Sequence, residues 1–424
     1  MSKTVFKNNE TTALSETKSS GRSDQWLARL LLKLIGDPAI SFILPDGTSV
    51  SATEGKSETS IIINDRSALL YMLLNPEYYF GEMYTSGRID IEGNLIELLS
   101  EGYRKLYSND RNQLLRILYY AIRKIPVLLG LEDIRENIYH HYDIGNSFYQ
   151  LWLDKEMQYT CAYYPEQSYT LEDAQLAKMH HICQKLMLKP GQTVVEAGCG
   201  WGGLARFMAR EYGVKVRAYN ISREQVKYAK ERARQEGLSD QVEYVEDDFR
   251  NIRGKYDVFV SVGMLEHVGI KNFRDLGKVI DSCLIENGMG LIHSIGFNRP
   301  RYLNQWIEKR IFPGANPPSI SQIMNIFEPF NFAVLDIENL RLHYARTLEH
   351  WLARFDANLD TIRDDFDETF IRTWRLYLCG SISAFLNGNM QLFQVVFSRM
   401  QNNSIPWSRA YLYSETRENE PAEL

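Results

Sequence analysis

Hydrophobic and polar positions follow two alternating patterns from about residue 171 onward. Short runs rich in β-branched residues, typical of buried strands, are separated by segments with helical periodicity, of which residues 223–235 are the clearest. The runs predicted as strands are residues 193–197, 215–220, 241–245, 257–262, 289–295, 332–340 and 392–398, with a helical insert before the last. Strands alternating with helices predict an α/β fold with a mostly parallel, doubly wound sheet.

The N-terminal part of the chain has a different pattern. Residues 26–34 predict a short helix with Arg29 and Lys33 on its polar side, and Pro45-Asp46-Gly47 predicts a turn between two strand-like runs. Together with apolar runs at residues 60–63, 68–74 and 95–99, they predict a small α+β unit. Residues 111–131 then predict a basic, amphipathic helix interrupted by Pro126, either a membrane-contact segment or a linker helix between domains.

These patterns divide the chain into five segments. We expect a disordered leader at residues 1–24, a small domain at 25–108 and a linker or amphipathic helix at 109–135. The α/β domain is expected at residues 136–413 and a disordered tail at 414–424.

Composition and charge argue against a nucleic-acid-binding, membrane-spanning or disulfide-bonded secreted protein. The 424 residues carry a formal net charge of −6, which gives no electrostatic reason to expect a nucleic-acid partner. No apolar run approaches the roughly 20 residues that cross a bilayer, and no secretory signal is recognisable, so a cytoplasmic location is expected. The five cysteines are odd in number and widely spaced, which favours reduced thiols over disulfide bonds. They are Cys161, Cys183, Cys199, Cys283 and Cys379.

The strongest local signal is the segment EAGCGWGG, which follows a predicted buried strand. Glycines in such a turn let the backbone approach a ligand, and the following helix presents free N–H groups at its N-terminus. An acidic residue two positions before the first glycine distinguishes this loop from a dinucleotide-binding turn and is typical of S-adenosylmethionine-binding Rossmann-like folds. The residues expected to bind the cofactor here are Glu196, Gly198, Gly200, Trp201 and Gly202.

Two further strand ends are expected to line the same crevice. The second strand ends in Asn220, Ile221 and Ser222, with Gln225 on the following helix, and Asn220 and Gln225 stand where a ribose-binding carboxylate is usual. The third strand leads into Asp247 and Asp248. An acid there can accept from the adenine amino group, but either residue can equally serve as a helix cap.

Ionisable residues also follow the fourth and fifth strands. Glu266 lies just beyond the end of the fourth strand, and His293 lies near the end of the fifth. Because the carboxyl ends of parallel strands meet at one edge of the sheet, both are expected beside the glycine loop, in position to act on an acceptor.

Several motifs together resemble the cyclopropane-fatty-acyl-phospholipid synthases. They are HYDIGN (141–146), QYTCAYY (158–164), EAGCGWGGL (196–204), SVGMLEHVG (261–269), LIHSIG (291–296), IFPGANPPS (311–319) and HYARTLEHW (343–351). The resemblance extends from Tyr139 to about Arg399. Residues 80–95 more weakly resemble part of the family's N-terminal lipid-binding domain, which the mycolate cyclopropane synthases lack.

This resemblance implies a seven-stranded class I methyltransferase fold and a bound bicarbonate ion beside the reacting carbon. Transferred residue by residue, the bicarbonate site comprises Cys161, Glu266, His293, Ile295 and Tyr344, with Cys161 and Ile295 contributing mainly backbone groups. Tyr159 and Thr160 join the cofactor-binding residues. Methyl transfer to a cis double bond leaves a carbocation, so a positioned anion suffices as the base that allows ring closure.

Other interpretations of Cys161 are less consistent with this chemistry. A cysteine in an apolar-aromatic run is usually a small buried side chain. Alkylation of carbon from a sulfonium requires no covalent enzyme intermediate. No His–Cys spacing suits a metal, so no metal site is expected. Tyr142, Tyr159, Tyr163 and Phe148 can shield a cation or simply pack in the core.

The expected activity is cyclopropane formation on unsaturated membrane phospholipid by an enzyme that associates peripherally with the membrane. The resemblance also implies a homodimer. One alternative is a fatty-acyl C-methyltransferase that leaves methylene or methyl branches. Others are an N-methyltransferase of small molecules and a non-catalytic lipid-binding protein.

Overall fold

The computed structural model describes residues 21–52, 59–107 and 144–413, which fall into two units. The described part of the first is residues 21–52 and 59–94, and that of the second is Leu95–Tyr107 and residues 144–413. The basic segment expected at 111–131 and the tail at 414–424 lie outside the described residues. Residues 95–107 group with the second unit, although the sequence pattern placed them in the N-terminal domain.

The described part of the first unit contains a four-stranded sheet and three helices. Its elements are α1 (Arg22–Ile35), β1 (Ser41–Ile43), β2 (Ser49–Ser51), β3 (Ser60–Ile63), α2 (Ser67–Leu74), α3 (Pro76–Thr85) and β4 (Ile89–Glu92). The strand order is β2-β1-β3-β4, and the predicted hairpin pairs β1 with β2 in antiparallel register. Helix α1 begins inside the expected leader because Asp24 is buried and ion-paired with Arg66, whose Nε lies 2.7 Å from Oδ2.

The second unit contains a seven-stranded sheet. Its strands are β5 (Thr193–Ala197), β6 (Lys215–Asn220), β7 (Val242–Glu246), β8 (Tyr256–Val262), β9 (Leu284–Gly296), β10 (Phe332–Asn339) and β11 (Gln391–Arg399). Their order is β10-β11-β9-β8-β5-β6-β7, and β11 is antiparallel to both of its neighbours. The prediction of a doubly wound, mostly parallel sheet is confirmed. Strand β9 begins five residues earlier than predicted, across a register irregularity opposite β8.

In the described part of the second unit, helices pack on both faces of the sheet. The helices of this part are α4 (Leu95–Tyr107), α5 (Asn146–Gln150), α6 (Leu171–Lys185), α7 (Gly203–Tyr212), α8 (Arg223–Gln235), α9 (Leu265–Val268), α10 (Phe273–Cys283), α11 (Gln305–Arg310), α12 (Ile320–Ile323), α13 (Arg341–Ala357), α14 (Leu359–Asp365) and α15 (Glu368–Leu386). Helix α15 packs against α13 and α4, and the Ser383 hydroxyl donates to the Ile96 carbonyl at 2.9 Å.

Both faces of the large sheet are buried. Adjacent residues of one strand point to opposite faces, so Val194 joins a core with α6, α7 and α8, whereas Val195 joins a core with α10 and α12. Strands β5 to β9 are parallel and end at one edge, where the predicted polar residues collect. Within the described ranges, no helix is both long enough and apolar enough to span a bilayer.

Candidate functional site

The glycine loop after β5 forms an open cradle. Gly198, Gly200 and Gly202 all have positive φ, at +81°, +53° and +76°. A Cβ on Gly198 would lie 2.7 Å from Cβ of Met264, whereas a Cβ on Gly200 would meet nothing within 4 Å. The backbone at Gly200 is therefore open to a ligand, and Gly202 is the N-cap of helix α7, which begins directly after the loop with free N–H groups at its N-terminus.

The residue at the end of β6 forms a hydrogen bond to the backbone of this loop. Nδ2 of Asn220 donates to the Gly200 carbonyl at 3.0 Å and to Oε1 of Gln225 at 2.8 Å. The Ser222 N–H donates to Oδ1 of Asn220 at 3.1 Å, while the Ile221 side chain is exposed. The structure thus brings the predicted residues of β6 together beside the loop, and it gives Asn220 a bracing contact that the sequence did not indicate.

The two acids after β7 have different surroundings. Asp248 caps a short 3₁₀ helix by accepting the Arg250 N–H at 2.9 Å, and its carboxylate forms an ion pair with the Arg250 guanidinium that lowers its pKa. Oδ1 of Asp247 accepts from Nδ2 of Asn251 at 2.7 Å. The helix-cap interpretation therefore describes Asp248, and Asp247 remains the predicted adenine contact.

A buried lysine that the sequence analysis missed lies beneath the cofactor loop. Nζ of Lys178 donates to Oε1 of Gln158 at 2.5 Å and to Oγ1 of Thr160 at 2.9 Å. Burial raises the pKa of Glu196 to about 8, opposed by the charges of Lys178 and Arg206. Burial also lowers the pKa of Lys178 to about 8.

The spacing of polar residues on α6 was the available signal for this lysine. Lys178, His181 and Lys185 recur at intervals of three and four, on a stripe that the structure buries. Periodicity alone does not distinguish a buried polar stripe of this kind from a solvent-exposed helix face.

Several aromatic side chains lie in the glycine loop or around Tyr159. Nε1 of Trp201 donates to Oδ1 of Asn146 at 2.7 Å, and the Tyr159 hydroxyl lies 2.9 Å from that of Tyr377. The ring centroid of Tyr159 lies 5.3 Å from that of Trp351. Trp201 and Tyr159 were predicted from the sequence as cofactor-binding residues. Trp351 and Tyr377, on helices α13 and α15, were not predicted as site residues.

Two other aromatic residues that were considered as cation shields pack against other aromatic rings. Phe148 is packed among Phe366, Phe370 and Trp374, and Tyr163 is stacked between His181 and His343. Tyr142 lies outside the described residues.

Glu266 lies on α9, just beyond the end of β8. Its Oε1 accepts the Ile295 N–H at 2.6 Å, and its Oε2 is buried without a hydrogen-bond partner among the described residues. Burial raises the pKa of this carboxyl to about 7, so it can hold or release a proton near neutral pH. Ile295, predicted to contribute backbone groups to an anion site, uses its N–H to hold Glu266.

His293 lies two residues before Ile295, on the same face of β9. Its Nδ1 is 3.1 Å from Nε2 of Gln394, and its own Nε2 is buried without a hydrogen-bond partner among the described residues. Burial, together with the charges of Lys178 and Lys185, holds the pKa of His293 well below its usual value. The ring is therefore neutral, with one nitrogen left for a ligand.

The remaining predicted residues, Cys161 and Tyr344, lie near the start of α13, where the Cys161 Sγ is 3.9 Å from the Leu340 carbonyl oxygen. Cys161 is fully buried, and burial raises the pKa of its thiol, which removes the thiolate that a nucleophile requires. Tyr344 is buried in the first turn of α13, with its ring centroid 4.6 Å from that of Phe385. All five cysteines are free and buried. Within the described ranges, no three His, Cys, Asp or Glu side chains are grouped to hold a metal ion.

The raised pKa of Glu266 predicts a pH-dependent stability. In the unfolded chain this carboxyl ionises near 4.5, but in the folded protein it keeps its proton to about 7, so its contribution destabilises the fold as pH rises between those values. Glu266→Gln is expected to become more stable than the native protein from about pH 5 to about pH 8, by at most about 3 kcal/mol. Urea denaturation across this range measures the difference, and a pH-independent difference would contradict the assignment.

The loop and the sheet edge fit S-adenosylmethionine. The cradle at Gly200 accommodates close backbone approach, Asn220 and Asp247 lie at the ends of the next two strands, and the Tyr159 and Trp201 rings lie nearby. The neutral His293 lies on β9 and the protonatable Glu266 follows β8, and these are the two strands on the other side of β5. This order of sites along one sheet edge suits transfer of a group from a cofactor to an acceptor.

Comparisons with known proteins agree with this geometry. The family model described as mycolic acid cyclopropane synthetase matches residues 131–395, and a domain of unknown function matches residues 28–113. The chain is 35% identical to a probable fatty acid methyltransferase of Pseudomonas putida, over 85% of this chain and 93% of that one. It is 43% identical to the cyclopropane-fatty-acyl-phospholipid synthase of Escherichia coli K12, over 63% of this chain and 69% of that one.

Solved structures show the same relationship. The cyclopropane synthase MmaA2 of Mycobacterium tuberculosis matches with a TM-score of 0.59 and 27% identity, over 62% of this chain and 97% of that one. Mycolic acid cyclopropane synthase CmaA1, solved with S-adenosylhomocysteine (SAH) and CTAB, matches with a TM-score of 0.58, the same identity and the same coverage. The chain therefore belongs to the mycolic acid cyclopropane synthetase family and is an S-adenosylmethionine-dependent methyltransferase.

Proposed function

We propose that this enzyme methylates the cis double bond of unsaturated phospholipid acyl chains and closes a cyclopropane ring, with bicarbonate as the base. The observation that carries the proposal concerns two buried side chains near the ends of neighbouring strands, Glu266 after β8 and His293 on β9. Each presents a buried polar atom, Oε2 and Nε2, that lacks a partner among the described residues. Buried polar atoms are normally hydrogen-bonded, so this pair favours a small polar ligand between cofactor and acceptor.

The residues present fit a bicarbonate ion. A neutral His293 can donate one hydrogen bond to an oxyanion, and Glu266 can share a proton with it, since two adjacent negative charges would be costly. Tyr344 and the backbone at Cys161 are the other proposed contacts. Ile295 contributes indirectly, because its N–H holds Glu266.

The chain's own groups then have defined tasks in the reaction. When bound, S-adenosylmethionine supplies an electrophilic methyl group and bicarbonate supplies a base. Glu266 and His293 would hold the anion by hydrogen bonds, so that its negative charge lies next to the carbon where positive charge develops. The rings of Tyr159, Tyr377 and Trp351 exclude water and offer π faces to a cation. Cys161, with its raised thiol pKa, takes no covalent part.

A membrane substrate requires a docking surface. Helix α1 exposes Trp26, Arg29 and Lys33 at intervals of three and four, which places an aromatic ring and two cations on one face. We propose peripheral docking through this face and the basic segment at residues 111–131, and action as a homodimer.

Product analysis tests the proposed reaction. Purified protein is incubated with S-adenosylmethionine and liposomes of cis-monounsaturated phospholipid, and the fatty-acid methyl esters are analysed by gas chromatography and mass spectrometry. We expect a product one CH₂ heavier that resists hydrogenation. Unmodified lipid despite cofactor binding would contradict the proposal and favour a small-molecule acceptor.

A second candidate product is a methylene- or methyl-branched acyl chain. It is favoured by the likeness to the Pseudomonas putida relative described as a probable fatty acid methyltransferase, which extends over most of both chains. The same site would serve, but a different proton would leave the carbocation. In the same experiment, a heavier product that hydrogenation converts to a methyl-branched chain would identify this activity.

A further inference from the structure

A polar row crosses three strands of the large sheet and ends at His293. Glu338 on β10 is the cross-strand partner of Gln394 on β11, and Gln394 is the partner of His293 on β9. Gln394 and His293 are almost fully buried, in the densely packed interior of the sheet. Buried polar side chains in such a row require hydrogen-bond partners within the protein.

Helix α6 places two side chains on this row. Nζ of Lys185 donates to Oε1 of Gln394 at 2.7 Å and to Oε2 of Glu338 at 2.5 Å, and Nε2 of His181 lies 2.8 Å from the same Glu338 oxygen. Burial alone would raise the pKa of Glu338, but the hydrogen bond from His181 and the charge of Lys185 lower it to about 2. Glu338 is therefore ionised and balances the buried lysine.

The lysine determines which way the Gln394 amide points. An ammonium group can only donate hydrogen bonds, so the atom of Gln394 that it contacts must be the carbonyl oxygen. The amide nitrogen then faces His293, with Nε2 of Gln394 3.1 Å from Nδ1 of the ring. Because an amide nitrogen is a donor only, Nδ1 must accept, and the proton of the neutral imidazole must be on Nε2.

We propose that Gln394, oriented by Lys185, is a positioning residue that fixes His293 in the Nε2–H tautomer so that the ring can donate a hydrogen bond to an anion at the proposed site. Its value for catalysis rests on the proposed function, in which that donor holds bicarbonate. In the other tautomer, Nε2 would present a lone pair to an anion, and the two would repel each other. Neither Gln394 nor Lys185 contacts the reacting atoms in this arrangement; both act through His293.

Nitrogen-15 NMR of histidine-labelled protein tests the tautomer directly, without cofactor or lipid. The His293 signals are assigned by their loss in His293→Asn. In the native protein we expect a neutral ring protonated on Nε2. In Gln394→Glu, the carboxylate can only accept, so Nδ1 should become protonated. In Gln394→Leu, which adds no buried charge if the first variant fails to fold, we expect Nδ1–H and Nε2–H forms to coexist.

The matched control is Gln391→Leu, which removes a buried glutamine from the same strand. Gln391 bonds to Asn339 and to the Gly388 carbonyl, so its loss should leave the His293 signals unchanged. A native His293 protonated on Nδ1, or signals that stay native in both Gln394 variants, would overturn the proposal.

Kinetics separates this inference from the proposed function. Gln394→Leu should raise the bicarbonate concentration for half-maximal turnover at least about tenfold, with little change in the KM for lipid, because one hydrogen bond to a charged ligand is weakened. Native bicarbonate dependence in Gln394→Leu would contradict the role of Gln394. If the native protein modifies no lipid, the proposed function fails, and the NMR result still decides the tautomer assignment.

Discussion

Replacing Glu266 with glutamine is expected to lower turnover about 100- to 1,000-fold while leaving S-adenosylmethionine affinity unchanged. Glutamine keeps the shape of the side chain and can still accept the Ile295 N–H, which is 2.6 Å from Oε1 in the native protein. It cannot carry negative charge or share a proton with an anion. The loss should therefore appear in kcat, and calorimetric titration with the cofactor should match the native protein.

The control for this variant is Glu286→Gln, which neutralises an exposed carboxylate near the start of the same β9 strand that carries His293. Native turnover is expected there. If Glu266→Gln and Glu286→Gln turn over equally well, the buried carboxyl has no part in the reaction, and the proposed anion site is wrong.

Gly198→Ala is expected to weaken S-adenosylmethionine binding at least about tenfold and to lower the free energy of unfolding by about 2–3 kcal/mol. Two effects combine at this position. The backbone φ of +81° disfavours any side chain, and the new Cβ would lie 2.7 Å from Cβ of Met264. Relief of that contact requires the cofactor loop or the segment after β8 to move. Calorimetric titration and urea denaturation measure the two losses.

Gly191→Ala separates the two effects. Gly191 has nearly the same φ, +85°, but a Cβ there would meet nothing within 4 Å, and it lies before β5 rather than after it. We expect a loss of stability of about 1–2 kcal/mol from the backbone conformation alone and unchanged cofactor affinity. Native cofactor affinity in Gly198→Ala, or equal weakening in both variants, would refute the role assigned to the loop.

Much of the fold could be predicted from local patterns. The predicted strands at residues 193–197 and 215–220 have the observed bounds, and helix α8 matches its predicted range, because buried strands and amphipathic helices have characteristic periodicities. The glycine loop was identifiable since positive φ and close packing restrict those positions to one residue type. Placing Glu266 and His293 near one edge required only that β8 and β9 be parallel neighbours.

Other parts of the site could not be inferred from local pattern. Whether Asp248 caps a helix or contacts a ligand depends on Arg250, which pairs with it in the structure. Trp351 and Tyr377 both lie beside Tyr159 only because α13 and α15 pack against each other. Periodicity shows that such residues are buried but does not identify their neighbours.

The sequence by itself determined the family, the parallel α/β sheet, the cofactor loop and the identity of the two central ionisable residues. Only the tertiary structure decided that Gln394 lies between Glu338 and His293 and that Lys185 orients its amide. The physical reason is that this row depends on β11 pairing in antiparallel register between β9 and β10. Pairing between strands distant in sequence is set by the packing of the whole sheet, and a shift of one residue would turn Gln394 to the opposite face.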